Sequence, residues 1–230
     1  MKAVATLVLA AALSVASATA NHAAASRQLA SAGALQPGVA ALSAAQKHDI
    51  LEAGEWHAGC PVWLSQVRLL TYRYYGFDHR THLGQIVVNA KVAHPLAKVF
   101  RKLLAMRFPI RDGAFLSEYG PHPDQSGDVT ASFECRDAVP SPCSGNAKGT
   151  HWSMHAYGEA VDLDPRENPY VGCGMTRDKT ALAYLKRSDV RPGMVTPAIY
   201  RATFGSIGWG WGGLWYGSTK DYMHFSINGH

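Results

Sequence analysis

Hydrophobic residues recur along the chain with two different periods. Between Val92 and Leu104 apolar side chains return every three or four positions with basic residues between them, which predicts an amphipathic helix. Pro95 is expected in the first turn of this helix, where its missing N–H costs little. Strict alternation over residues 158–164 predicts a strand buried on one face, and the β-branched residues within 84–90 predict another strand.

Two further elements are predicted near the end of the chain. Thr196 and Pro197 are typical of a helix N-cap followed by proline at the first position, and Gly205 is expected to end that helix. Residues 221–227 alternate again and predict a strand. Short strands mixed with two or three helices, without a repeating βαβ rhythm, predict a single α+β domain with a small antiparallel sheet and flanking helices.

The first 20 residues are typical of a secretory signal peptide. Lys2 precedes an apolar stretch, and residues 18–20 have the small-x-small pattern of a cleavage site before Asn21. The stretch is short for a transmembrane helix, although a retained N-terminal anchor is the alternative. Residues 21–45 are rich in alanine and serine and predict a spacer, so the catalytic domain is expected to span residues 46–230. The expected location is the periplasm or the outside of the cell, without a stable membrane anchor after cleavage.

Export changes the interpretation of the four cysteines, Cys60, Cys135, Cys143 and Cys173. An even number in an oxidising compartment favours two disulfides over free thiols or a thiolate metal site. Four cysteines allow three pairings, and their positions alone do not choose among them. The net charge of +5 is spread along the chain without a basic run, so no nucleic-acid partner is expected.

Candidate chemistry is concentrated in two segments, residues 153–162 and 221–224. The first places His155 and Asp162 seven positions apart, and the second adds Asp221 and His224. Two imidazoles and one carboxylate are a typical zinc ligand set that leaves a fourth position to water. Simple alternation puts Asp221 on the strand face opposite His224, so we expect a bend or bulge between them.

These segments resemble the signature of the zinc peptidases that cut bacterial cell-wall peptides. These are the VanY-like D-alanyl-D-alanine carboxypeptidases and the L-alanyl-D-glutamate endopeptidases, which share the hedgehog/DD-peptidase fold. Their S-x-H-x-x-G-x-A-x-D motif is matched in full over residues 153–162, and their [DE]-x-x-H motif over residues 221–224. The resemblance runs from about Cys60 to Ser226.

The resemblance implies a site as well as a fold. It implies one zinc ion per chain, bound by His155, Asp162 and His224. Asp221 would be the general base that takes a proton from water and passes it to the leaving amine. Arg136 would hold a substrate carboxylate or the developing oxyanion, and Ser153 would hydrogen-bond to substrate. The alternatives are an orienting role for Asp221 and a surface position for Arg136.

The resemblance also bears on the disulfides. Relatives with Gly-Cys-Pro-Val and Phe-x-Cys-Arg segments carry cysteines that match Cys60 and Cys135, which implies that these two form a pair. Cys143 and Cys173 are then left for a second disulfide, one before and one after the first motif.

We therefore expect an exported, monomeric zinc metallopeptidase whose partners are peptidoglycan peptides. D,D-carboxypeptidases and L,D-endopeptidases share the same metal ligands, so both reactions stay open. The alternative is a non-catalytic wall-binding or signalling module with a structural zinc, as in the hedgehog signalling domains. An acidic residue at position 221 and an arginine at position 136 argue against it, because a purely structural site needs neither.

Overall fold

The computed structural model describes residues 36–113, 115, 128–144 and 149–230. The predicted signal peptide and most of the predicted spacer lie outside these residues. The folded unit extends over Gln36–His230, and its first strand pairs Gly38 with Thr71. The folded part therefore begins inside the segment predicted to be a spacer, because a short alanine-rich strand can pair through its backbone without a hydrophobic pattern of its own.

Within the described residues the secondary structure mixes short strands with short helices. The strands are β1 (Gly38–Ala41), β2 (Val67–Gly76), β3 (Thr81–Asn89), β4 (Pro109–Ile110), β5 (Ala160–Asp162), β6 (Tyr170–Val171), β7 (Gly210–Trp211), β8 (Lys220–Asp221) and β9 (His224–Ser226). The α-helices are α1 (Ala44–Glu52), α2 (Ala90–Ala105) and α3 (Pro197–Ala202). Short 3-10 helices span Met154–Tyr157, Lys179–Tyr184, Phe204–Ile207 and Gly212–Leu214. This arrangement confirms the predicted α+β class.

The first sheet has the order β1-β2-β3, all antiparallel, and β4 adds to the end of β2 in parallel. β2 was not predicted from the sequence. Its apolar and aromatic residues are buried on both faces, so it lacks the alternation that identifies a half-buried strand.

Helix α2 confirms the amphipathic helix predicted from the 3.6-residue period, with Val92, Leu96, Val99, Phe100 and Leu103 buried along one face. Its N-cap is Asn89, whose side chain accepts a hydrogen bond from the N–H of Lys91. The helix therefore begins earlier than expected, and Pro95 lies in its second turn instead of its first. At that position proline removes the donor that the carbonyl of Lys91 would otherwise use.

One hydrophobic core joins α2 to both sheets. It contains Leu70 and Val88 from the first sheet, Phe100 from α2, and Val161 and Phe225 from the second sheet. A second cluster, which includes Ile50 of α1, covers the other face of the first sheet. The second sheet is thus held against a helix whose own position is set by the first.

The second sheet has the order β5-β9-β7, and β6 pairs separately with β8. The strand predicted over residues 158–164 is shorter than expected: it ends at Asp162, and Asp164 has a left-handed φ of 44°. Ala160, Val161 and Leu163 are all buried, so the expectation of one exposed face was also wrong.

Helix α3 begins as predicted at Thr196 and Pro197 but ends before Gly205. Its last turn is closed by Thr203, whose hydroxyl donates to the carbonyl of Ile199 at 2.6 Å. The chain then continues as a 3-10 helix that ends at Gly208, which has a φ of 83°. The helical segment is therefore ended by Gly208, and not by Gly205 as predicted.

The structure contains two disulfides, Cys60–Cys135 and Cys143–Cys173, the pairing that the resemblance implied. The ring of His57 lies near the first disulfide, but both of its sulfurs are bonded to each other and are not thiolate ligands. Among the residues that the structure describes, no helix combines the length and the apolar character needed to cross a bilayer.

Candidate active site

The pairing of β5 with β9 brings two of the predicted metal ligands together. Their register places Asp162 directly opposite His224. His155 reaches the same point from the 3-10 helix Met154–Tyr157, which immediately precedes β5. Because strand register is fixed by backbone hydrogen bonds, two of the three ligands are held by the sheet itself.

Gly158 allows the chain to pass from that 3-10 helix into β5. Its φ is 65°, and its carbonyl accepts a hydrogen bond from the N–H of Asn89 at 2.8 Å. A Cβ at this position would lie 2.7 Å from the backbone nitrogen of Asn89. Glycine is therefore required both for the left-handed backbone and for the close approach to the end of β3.

The three side chains converge on one point. His155 Nε2, Asp162 Oδ1 and His224 Nδ1 form a triangle in which every pair of atoms is 3.2 Å apart. A tetrahedral zinc ion with bonds of about 2.0–2.2 Å separates its ligand atoms by about 3.3–3.6 Å. The triangle, which we call the ligand triad, therefore has the size of one face of a zinc coordination tetrahedron.

The protonation state of His155 supports the same interpretation. Its Nδ1 lies 2.5 Å from the carbonyl oxygen of Ser132, which can only accept, so Nδ1 carries the proton. In the neutral ring Nε2 then presents a lone pair to the ligand triad, as is usual for a histidine that binds a metal. Burial alone would raise the pKa of Asp162, but in the metal-free protein the positive charge that the two imidazoles can carry, together with their hydrogen bonds, holds it far below its ordinary value. The donor set fits a dication.

Asp221 reaches the site through the bend that the sequence predicted. β8 pairs with β6, β9 pairs with β5, and Tyr222 and Met223 make the turn between them. The indole nitrogen of Trp211 donates to the carbonyl of Tyr222 at 2.8 Å. A Cβ on Gly212 would collide with the carbonyl of Asp221, so a glycine there lets the backbone lie close to β8.

The carboxyl of Asp221 is placed to exchange a proton. Its Oδ1 is buried and has no hydrogen-bond partner among the described residues. Burial and the charge of Asp162 raise the pKa of Asp221 to about 7, against the opposing charges of His224 and Arg136. A carboxyl that titrates near neutrality is suited to general acid–base catalysis.

Arg136 lies within electrostatic reach of the ligand triad. Burial acts to lower the pKa of its guanidinium, but the charges of Glu134, Asp162 and Asp221 outweigh burial and raise it. Its Nε donates to Glu134 Oε2 at 2.7 Å, and this fixes one edge of the guanidinium. The alternative of an unrelated surface position is therefore disfavoured by its surroundings.

Ser153 has a structural contact that the sequence did not indicate. It is the N-cap of the 3-10 helix Met154–Tyr157, and its Oγ accepts from the backbone N–H of His155 at 3.3 Å. Ser153 thereby positions a ligand, and it also lines the smaller of two cavities at the site. Its contact with substrate stays a prediction.

Two cavities of about 500 and 250 Å³ meet at the ligand triad. The residues that line both are Arg136, Val139, His155, Asp162, Tyr170 and Met223. The ligand triad thus lies near the middle of a longer cleft. The larger cavity lies on the side of Ser132, and the smaller one on the side of Trp152 and Trp215.

Sequence reasoning missed several parts of this cleft. The Ser132 carbonyl has no sequence signal, because any residue supplies one. Tyr170 follows Asn168 and Pro169, and its position along the chain assigns it no role. Of the tryptophans near the end of the sequence, Trp209 and Trp211 are buried in the core, whereas the ring of Trp215 is 6.1 Å from that of His224.

A second buried set of carboxylates borders the larger cavity. We call Asp128, Asp164 and Glu167 the acidic group. Arg111 donates from its backbone N–H to Asp164 at 2.8 Å and from its guanidinium to Glu167 at 2.6 Å, and Tyr184 donates to Glu167 at 3.1 Å. Burial and a hydrogen bond with Glu167 raise the pKa of Asp128 to about 7.

Comparison with known proteins bears directly on this site. Residues 146–227 match the model of a family described as D-alanyl-D-alanine carboxypeptidase, and the match supports a peptidase of the carboxypeptidase type. Comparison with the curated proteins and with the solved structures gives no significant match. Arg136 lies before the matched segment. The resemblance to the VanY-like peptidases is confirmed over residues 146–227, which contain all three members of the ligand triad. Its extension back to about Cys60 stays a prediction.

Proposed function

We propose that this protein is an exported zinc metallopeptidase that hydrolyses peptide bonds in the stem peptide or crosslink of peptidoglycan. The reaction would be of the D,D-carboxypeptidase or the L,D-endopeptidase type. The observation that carries the proposal is the ligand triad. Its three ligand atoms lie 3.2 Å from one another, at the point where two cavities meet. A peptide bound along the cleft would present an internal bond to this point.

Zinc bound by the ligand triad would lower the pKa of a water molecule and polarise the scissile carbonyl. Asp221 is the group of the chain that would accept the proton of the attacking water and return it to the leaving amine. Its pKa of about 7 suits both transfers, because neither protonation state is strongly preferred at neutral pH.

Arg136 is proposed to orient the substrate. Glu134 fixes its Nε, and Nη1 donates to the carbonyl of Asp137 at 3.3 Å. The other N–H groups of the guanidinium can hold a substrate carboxylate or the developing oxyanion. Ser153 would add a hydrogen bond from the smaller cavity, where its hydroxyl proton is not needed for the cap of the 3-10 helix.

Export is supported by two disulfides, which persist in oxidising compartments and are rare in the bacterial cytosol. We also propose that the protein is a monomer, that its partners are peptidoglycan peptides and that it has no nucleic-acid partner. A binding module with a structural zinc would not need the buried Oδ1 of Asp221, which has no hydrogen-bond partner among the described residues, nor the charge of Arg136 acting on it.

The test is digestion of defined stem peptides and crosslinked dimers by the purified protein, with and without a chelator, followed by mass spectrometry. Loss of a terminal D-alanine identifies a carboxypeptidase, and an internal cut identifies an endopeptidase. Asp221→Ala is expected to retain one zinc per chain and to lose activity by about 10²-fold or more. Asp189→Ala, which changes an exposed carboxylate, is the control. A product pattern that the chelator does not change would refute the zinc peptidase, and full turnover by Asp221→Ala would refute the role of the base.

A further inference from the structure

The larger cavity carries charged groups that the proposed hydrolysis does not use. Arg166 and Arg177 both line it, on the side of the ligand triad away from Trp152 and Trp215. The smaller cavity has no arginine among its described lining residues except Arg136, which belongs to both. The arginines of the cleft are therefore distributed unevenly about the ligand triad.

Arg166 has only a weak counter-charge. Its Nε is buried without a hydrogen-bond partner among the described residues, and the nearest carboxylate atom is Asp128 Oδ2 at 3.8 Å. The other oxygen of Asp128 accepts the backbone N–H of Arg166 at 2.9 Å. Because burial and Glu167 raise the pKa of Asp128 to about 7, this carboxyl carries only part of a charge at neutral pH. Within the part of the chain that the structure describes, the guanidinium of Arg166 thus remains available to a ligand anion.

Arg177 is exposed and has no carboxylate within 4.0 Å in the part of the chain that the structure describes. Its Nη2 donates to the carbonyl oxygen of Ser141 at 3.3 Å, a neutral acceptor that does not cancel the charge. The neighbouring Asp178 uses its Oδ1 for the N–H and hydroxyl of Thr180, at 2.7 and 2.6 Å. Arg177 also acts on the pKa of Tyr170, a residue that lines both cavities.

We propose that Arg166 and Arg177 form a carboxylate-binding subsite in the larger cavity, which receives a substrate arm that carries a free carboxylate. This inference rests on the proposed peptidase function. Guanidinium and carboxylate groups form charge-assisted, often bidentate hydrogen bonds, so the pair would select acidic arms over amidated ones. Stem peptides offer two such groups, the α-carboxylate of a γ-linked glutamate and the free carboxylate of a diamino acid.

The first test compares hydrolysis of matched peptides by the wild type, Arg166→Gln and Arg177→Gln. In one peptide of each pair the glutamate α-carboxylate or the diamino-acid carboxylate is free, and in the other it is an amide. The wild type is expected to prefer the free acid by about 10- to 100-fold in kcat/KM, mainly through KM. Each variant is expected to lose most of that preference while its kcat on the amide stays unchanged. The pair that shows the preference identifies which carboxylate is bound.

Two controls separate recognition from folding. Arg201→Gln removes an exposed arginine of α3 and should leave the preference intact. Arg166→Lys should restore part of the preference, because it keeps the charge but loses the planar donor pair. Equal loss on acid and amide peptides by both glutamine variants, or a wild type that does not distinguish acid from amide, would overturn the subsite.

A binding measurement keeps this test independent of catalysis. Calorimetric titration of the chelator-treated protein with the same peptides should show tighter binding of the free acid to the wild type, and a reduced difference in Arg166→Gln and Arg177→Gln. If no peptide is hydrolysed but this binding preference is found, the proposed function fails and the subsite stands. If hydrolysis occurs without any preference in binding or in kcat/KM, the subsite fails and the proposed function stands.

Discussion

The ligand triad and the acidic group both contain buried carboxylates beside the larger cavity, but the side chains around these carboxylates differ. In the ligand triad, Asp162 faces two imidazoles, and the Nδ1–H of His155 donates to the Ser132 carbonyl. In the acidic group, Arg111 and Tyr184 direct N–H and O–H groups at the carboxylates. The ligand triad presents lone pairs to a common point, whereas the carboxylates of the acidic group already accept hydrogen bonds from donors of the protein itself.

The difference shows that the groups beside a buried carboxylate determine whether it can take part in a metal site. Among the described residues, three ligand atoms within mutual reach occur at the ligand triad and around the Cys60–Cys135 disulfide, but not in the acidic group. Imidazole can be neutral and still offer an acceptor, whereas a guanidinium is always a charged donor. An acidic cluster that is neutralised by arginine is therefore a structural network.

The largest expected effect is at the ligand triad. His224→Ala removes one of three converging lone pairs, and we expect zinc affinity and peptidase activity to fall together by at least about 10³-fold. Metal analysis after dialysis, together with the peptide assay, measures both. His82→Ala, which changes a half-exposed histidine paired with Asp78, should alter neither. Stoichiometric zinc in His224→Ala would show that the ligand triad is not the metal site.

The acidic group should respond in the opposite way. Glu167→Ala leaves the guanidinium of Arg111 and the hydroxyl of Tyr184 without their acceptor, and we expect the free energy of unfolding to fall by about 2–4 kcal/mol. Urea unfolding measures this loss, and the zinc content of the folded protein should stay at one per chain. Asp189→Ala breaks an exposed ion pair with Arg191 and should cost about 0.5 kcal/mol or less. A loss no larger than that of the control would mean that the acidic group is not a structural network.

The last expected effect has the opposite sign, because it is a gain in stability from removing the buried charge of Asp221. Its pKa is about 7 in the folded metal-free protein and about 3.9 in an unfolded chain, so its ionisation destabilises the fold as pH rises from about 4 to 7. Asp221→Asn removes that penalty, and above pH 7 we expect the metal-free variant to melt a few degrees higher than the wild type. The gain should disappear near pH 4, where Asp221 is protonated in both states. A difference in melting temperature that does not depend on pH would contradict this origin.

Much of the site could be predicted from residues that carry chemistry at fixed spacing. Simple alternation would place Asp221 and His224 on opposite strand faces, so the sequence predicted a bend between them. The structure has this bend at Tyr222 and Met223. Helix α2 was predictable because its stripe of apolar residues follows one period over many turns.

The parts that escaped prediction share a physical cause, since they depend on tertiary neighbours and not on local pattern. β2 is covered on both faces and shows no alternation, and β1 exists because β2 offers it an edge. The contact of His155 with Ser132 joins a side chain to a backbone atom 23 residues away. The uneven distribution of arginines in the cleft likewise depends on the fold, which brings Arg166 and Arg177 to the same cavity.

The bend between β8 and β9 has a consequence for altering this protein. Asp221 and His224 lie on one four-residue segment that the indole of Trp211 holds at its middle, so a shift of that segment displaces the carboxyl of Asp221 and the imidazole of His224 together. Attempts to redirect the proposed cleavage to a different linkage should therefore leave this segment unchanged and vary the lining of the larger cavity, where Arg166 and Arg177 lie outside that segment.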